Sequence, residues 1–270
     1  MRKIVNTLVL LFIAYPIIIG FLTSISLNKE VVNGFQFMPI NSEHFTFQNY
    51  TNIFNDVNII YSFVFTFFLS IISSLIIILS SFITGFFLSR YNYLNSIIPK
   101  LALFIYSIPS VYYATYWNNS SDSLIIISLQ YIFSHFNYLF PFVLLLTINY
   151  FKYVPLSFDM QAAMDGISTR YFIQKIIFPY FRPVLLALFL IVFVIIFNDV
   201  LFSTFIARSE RYRFIGHYII ENIYNPDQKH YRYGEISAFG IIISTLLILI
   251  SSFILLNYRN YLNKELKNNI

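Results

Sequence analysis

His135 and Asp199 are the two side chains whose chemistry is out of keeping with their surroundings, because each is titratable and each stands within a run of apolar residues. A base and a carboxylate in such a setting can hold a proton, pair with one another, or cap and tie neighbouring helices. Alone they do not make a catalyst. A nucleophile with its base, or a pair of carboxylates, would have to lie beside them, and the sequence pattern supplies neither. The chain has no cysteine, so disulfides and thiolate metal sites are excluded. None of its seven glycines precedes a lysine in the spacing GxxxxGK[ST], so no loop of that kind cradles a nucleotide. The expectation is a protein that is not an enzyme and needs no cofactor.

The elements that must position these residues are spanning helices. Hydrophobic residues make up 58% of the chain and charged residues only 11%, and the mean hydropathy is +0.69, far from the roughly 25% charged content of a soluble domain. A spanning helix needs about 20 mostly apolar residues. Six segments qualify: Ile4 to Leu27, Ile59 to Leu88, Leu101 to Trp117, Leu124 to Tyr150, Val184 to Ala207 and Ile236 to Tyr258. The third is short and broken by Pro109. The prediction is one all-α membrane domain over residues 1–270, with His135 midway along the fourth span and Asp199 in the outer third of the fifth. Prolines 16, 109 and 141 leave carbonyls unpaired inside helices, to be satisfied by neighbours or by a water-lined cavity.

Basic residues set the orientation. Eleven lysines and arginines fall in the segments that face inward if the N-terminus is inside, and six in the others, which predicts both termini in the cytoplasm of a multi-pass plasma or inner membrane protein. The exception is the segment between spans five and six, which carries five of those six. The net charge of +5 is explained by these loops, so no nucleic-acid partner is expected. Met1-Arg2-Lys3 and the apolar run after it read as a retained helix, because no small-residue cleavage pattern follows. An outer excursion is expected from Asn28 to Asn58, where the alternation in QFMPINSEHFTFQNYTNIF suits short strands or loops.

One inward segment is unlike the rest. Pro155 to Pro183, PLSFDMQAAMDGISTRYFIQKIIFPYFRP, is polar and dotted with charge between two strongly apolar runs. Ser157 is a candidate N-cap, and Asp159 falls in the first turn, where the helix dipole favours a negative charge. Gly166 suits the left-handed turn that ends a helix, Ser168 can cap a second helix, and Pro179 is expected to close it. Met160, Ala163, Met164 and Ile167 share one face, as do Phe172, Ile173, Ile176, Ile177 and Tyr180. Each face calls for a cover, either a groove in a partner or the chain's own helix ends.

This segment resembles the cytoplasmic coupling loop, or EAA loop, of ABC-importer permease subunits, in the form found in carbohydrate importers of the maltose-type group. That form reads approximately P-x-x-x-E-E-A-A-x-x-D-G-A-S, followed by an apolar helix ending I-x-x-P-x-x-R-P. Pro155, Asp159, Ala162, Asp165, Gly166, Ser168, Ile176, Pro179, Arg182 and Pro183 stand at matching places. Asn198-Asp199 resembles the W-N-E or W-N-D motif of the following span, and the likeness extends over roughly residues 60 to 260. Met160 replaces the usual glutamate, Gln161 the usual first alanine and Ile167 a small residue.

The resemblance implies a permease subunit that pairs with a second permease, is driven by a pair of ABC ATPase subunits, and receives cargo from an extracytoplasmic solute-binding protein. It implies that Asp159, Met160, Gln161, Ala162, Ala163, Asp165, Gly166, Ser168, Ile176 and Pro179 form the contact with the ATPase. On that basis Asp165 is expected to tie the turn's amides, the Ala162 surface to allow close approach, and Asp159 to stand in for the missing glutamate. The D-G after the alanines points to a sugar as cargo, with a polyamine, metal or glycerol phosphate as alternatives. An ion-coupled carrier is the reading from another class, disfavoured because no lysine or arginine lies in the middle of a span.

Overall fold

A run such as Val57–Arg90, with β-branched and aromatic residues throughout and few charges, satisfies its backbone in lipid only as a helix. The computed structural model describes residues 2–26, 45–90, 94–116, 123–206, 213–221, 224–225 and 230–268, and is helical over most of them. The helices are α1 (Arg2–Ser24), α2 (Gln48–Asn55), α3 (Val57–Arg90), α4 (Leu94–Ser107), α5 (Ser110–Tyr116), α6 (Leu124–Phe151), α7 (Leu156–Met164), α8 (Thr169–Phe172), α9 (Phe178–Phe197), α10 (Leu201–Ile206), α11 (Ile215–Glu221) and α12 (Tyr233–Asn268). Between α8 and α9 lies a π-helical turn, Ile173–Ile177. A two-residue hairpin pairs β1 (Tyr224–Asn225) with β2 (His230–Tyr231).

Two compact units emerge, residues 1–61 with 218–270, and residues 62–217. In the first, α1 and α2 both pack on α12. Asn49 donates from Nδ2 to the carbonyls of Ser24 and Ser26, both at 2.8 Å, and Asn52 donates to Glu235 Oε1 at 3.0 Å. The strand or loop expected over residues 36–54 is instead helical from Gln48, because Asn49 and Ile53, four apart, give the segment one buried face. Residues 36–44 of that expectation lie outside the described residues, as do Trp117 and most of the outer segment from 207 to 229.

The second unit holds the core. Leu69, Ile77, Phe82 and Phe86 of α3 meet Tyr131, Leu139, Val143 and Phe151 of α6 and Phe181, Leu185, Leu188 and Val192 of α9. A seam of small polar residues on α3, Ser62, Thr66, Ser70, Ser73, Ser74 and Ser81, is buried. Such residues let helices approach closely, and the hydroxyls of Thr66, Ser73 and Ser74 return to the carbonyls of Ser62, Leu69 and Ser70 one turn back. Thr147 reaches across from α6 to the Ser81 carbonyl at 3.1 Å, and Gly85 leaves the space that its hydroxyl occupies.

Among the described residues four helices are long and apolar enough to cross a bilayer, five if the bent pair α4–α5 counts as one. The expected spans differ from these in four places, the first being that Ile4 to Leu27 is not among them, where the apolar helix is the shorter Ala14–Ser24. The third begins at Leu94 and turns through 76° between α4 and α5, where Pro109 interrupts the amide ladder and Tyr113 Oη donates to the Ile105 carbonyl at 2.8 Å. The fifth does not start at Val184, and Pro179 does not close the helix before it. Helix runs from Thr169 to Phe197, since Phe178 N–H bonds back to the Ile173 carbonyl and this wide turn accommodates the proline without a break. The fifth span then breaks at Asn198–Val200 rather than continuing to Ala207.

Candidate coupling element and buried polar pair

The segment 155–183 opens with α7, whose N-cap is Pro155 rather than Ser157, and Pro155 provides no side-chain bond. Asp159 lies in the first turn, as its type suggests. The C-terminus is closed by two backbone bonds: Ile167 N–H to the Ala162 carbonyl at 2.9 Å, and Gly166 N–H to the Ala163 carbonyl at 3.1 Å. That pair of bonds needs a left-handed residue at the turn, and Gly166 has φ +71°. The turn's amides are therefore held by these carbonyls. The Asp165 carboxylate, expected to tie them, is exposed and makes no hydrogen bond among the described residues. Ser168 then caps α8, its hydroxyl accepting from Tyr171 N–H at 3.4 Å.

The two halves bury different things. In the second, Phe172, Ile177 and Phe181 pack under the chain's own helices, while Ile176 and Tyr180, predicted on the same face, are exposed because the π turn rotates the register. In the first, Ala162 alone is buried, so its surface is already used within the chain. Met160 and Met164 stand 65% and 86% exposed, and with Gln161 and Ala163 they make an uncovered apolar and polar face. A cavity of about 210 Å³ runs between α7 and the end of α3, walled by Phe86, Phe87, Ala162, Ile167 and Phe172.

At its rim Arg90 meets Asp159. Nε lies 2.6 Å from Oδ2, Nη2 donates to Oδ1 at 3.1 Å and Nη1 donates to the Val154 carbonyl at 3.0 Å. Asp159 is thus paired inside its own chain, contrary to the expectation that it stands in for the motif's glutamate toward a partner. In the sequence Arg90 figures as one of the eleven basic residues of the inward segments. The available signal was its position as the last residue of an apolar helix beside a loop with an unmatched acid.

The second site joins α6 to the break after α9. Asp199 lies in that break, not within a helix, and its Oδ2 accepts from Phe202 N–H at 2.8 Å and Ser203 N–H at 3.3 Å, capping α10. His135 is buried, with Nδ1 at 2.8 Å from the Tyr131 carbonyl and Nε2 at 3.7 Å from Asp199 Oδ2. A carbonyl only accepts, so Nδ1 carries the hydrogen and Nε2 faces the carboxylate. Asn198 is exposed and bonds back to the Val194 carbonyl at 2.9 Å, so it does not join the pair. Nearby, Phe214 stacks on Tyr131 with ring centroids 4.4 Å apart, and Ile215 N–H donates to Thr66 Oγ1 at 2.9 Å. The hydroxyls of Ser203 and Ser134 are committed to the carbonyls of Asp199 and Gln130.

No family model matches the sequence, and no curated protein matches it. The fold is similar to that in the crystal structure of a bacterial ABC transporter involved in the import of the acidic polysaccharide alginate, with a TM-score of 0.61 and 21% identity over 95% of each chain.

Proposed function

We propose that this chain is a permease subunit of an ATP-binding-cassette importer, with six spans, both termini in the cytoplasm, and residues 155–183 as the element that docks on a separate ATPase. The observation that carries the reading is α7 itself: a short helix, stopped by a left-handed Gly166, that keeps Met160 and Met164 exposed while the helix is tied to α3 on its other side. A methionine-bearing face of low relief suits a groove in a partner. The likeness of fold to a transporter of the same class supports it, and in this reading α1, with the shorter apolar helix Ala14–Ser24, is taken as the sixth span.

In this reading two permeases form the pathway, and an ATPase pair grips one such hairpin from each. Closure of the ATPases on ATP pushes the hairpins, and the spans swing between inward-open and outward-open arrangements. A solute-binding protein delivers cargo at the outer face. The cargo is a carbohydrate: the D-G form of the loop motif points that way, and the structural neighbour is itself involved in the import of a polysaccharide.

The test is to purify the chain with ATPases encoded beside it. The ATPase is expected to co-purify, and Gly166→Pro, which forbids the left-handed turn, to abolish association while membrane insertion persists. Charge reversal at Asp165 is expected to weaken the same capture, since that carboxylate makes no hydrogen bond among the described residues. Cargo uptake by the chain in vesicles containing no ATPase overturns the proposal.

A further inference from the structure

α7 is attached to its unit by very little. Its N-cap has no side-chain bond, and of its nine residues only Ala162 is buried. A lever fixed by one methyl group would rock in its seat and lose the motion imposed on it. Among the described side chains the further tie is Arg90, the last residue of α3, which at 34 residues is about 51 Å long and apolar enough to cross a bilayer.

The guanidinium reaches α7 twice. One edge meets both oxygens of Asp159, in the first turn, and Nη1 holds the carbonyl of Val154, the residue just ahead of the Pro155 cap. Its carbon lies 5.2 Å from the centroid of the Phe86 ring one turn earlier on α3, and the side chain is 13% exposed. A planar guanidinium that donates to one carboxylate oxygen and to a carbonyl, keeps Nε 2.6 Å from the second oxygen in a charge contact, and is backed by a ring fixes direction as well as distance. A lysine in the same place would act as a point charge about which the helix could pivot. Shielding from solvent also makes the pair worth more than an exposed one.

We propose that Arg90 is the joint that transmits movement of α7 to α3, a positioning residue for coupling whose partner is Asp159. The proposal rests on the reading of α7 as the ATPase-docking element. It also assigns the acid at position 159 an internal task, so that capture of the ATPase falls to the exposed face around Met160 and Met164.

The experiment uses the complex of this chain with its permease partner and ATPases in lipid nanodiscs. Because the chain has no cysteine, a nitroxide on Leu79→Cys, half-exposed on α3, gives a clean reporter. The reading is the change in its spectrum between the nucleotide-free and the vanadate-trapped state, alongside ATP hydrolysis. In Arg90→Ala the ATPases are expected to remain bound and hydrolyse ATP, while the nucleotide-dependent change at α3 falls roughly tenfold, the equivalent of one charge-assisted hydrogen bond. Arg90→Lys should recover part of it, and the exchanged pair Arg90→Asp with Asp159→Arg should recover more than either single change. An undiminished response in Arg90→Ala overturns the proposal, as does loss of the ATPases from that variant, which would make Arg90 part of the docking surface instead. Failure of the unaltered complex to hold any ATPase overturns the functional reading, and the joint with it.

Discussion

Gly216 lies so close to Asp199 that a methyl group at position 216 would stand 2.7 Å from the Asp199 carbonyl oxygen and 3.0 Å from the Val200 Cα. The first turn of α11 is thereby seated on the break that separates α9 from α10, and the amide of Ile215 reaches Thr66 on α3 from the same position. Both atoms facing Gly216 are backbone, which cannot swing aside. Gly216→Ala should therefore destabilise the protein by about 1–3 kcal/mol, as overpacking does. The check is the thermal unfolding midpoint in detergent. Gly240→Ala, with nothing within 4 Å of the added methyl, is the control and should leave the midpoint unchanged or raised.

Thr66 tests the same junction from the other side. Thr66→Val keeps the shape but leaves the buried Ile215 amide with no acceptor, a cost of about 1–3 kcal/mol. Thr66→Ser keeps the oxygen and should retain most of the stability. Equal midpoints for the two variants would count against this bond.

Asp199 caps α10 and faces His135, and substitution separates the two roles. Asp199→Ala removes the acceptor used by Phe202 and Ser203, worth about 1 kcal/mol. Asp199→Asn keeps an acceptor oxygen for the cap and discards the charge facing His135. The expected order of stability is wild type, then Asn, then Ala; an Asn variant as unstable as Ala would transfer the weight to the His135 contact.

A side chain at position 166 would be strained by conformation and not by crowding, since the φ there is +71° and nothing lies within 4 Å of an added methyl. Gly166→Ala should cost about 1–2 kcal/mol locally, and Gly166→Asn less, because asparagine tolerates the left-handed region. Amide hydrogen exchange over residues 156–167 reads this directly: Ala should accelerate exchange at Ile167 and Gly166 or its replacement more than Asn does.

Local signals in this sequence were legible where the physics is local. The helices of the runs around Val57–Arg90, Leu124–Phe151 and Tyr233–Asn268, the left-handed Gly166 and the Ser168 cap all follow from residue type and immediate neighbours. The errors came where a local signal was overruled by its surroundings. Pro179 reads as a stop, yet a π turn absorbs it; Ser157 reads as a cap, yet the chain enters the helix at Pro155. Asp199 reads as a residue inside a span because its neighbours are apolar, whereas its own carboxylate organises a break.

What residue order by itself determined is the membrane character of the chain, the set of apolar helices and the bend at Gly166, because hydrophobicity, helical periodicity and backbone freedom are properties of adjacent residues. What only the tertiary structure decided is which acid meets which base. Arg90 and Asp159 are 69 residues apart, and His135 on α6 is brought face to face with Asp199 in the break after α9. A charge in a nearly uncharged interior must find a partner, but packing chooses the partner, and packing depends on the shapes of whole helices.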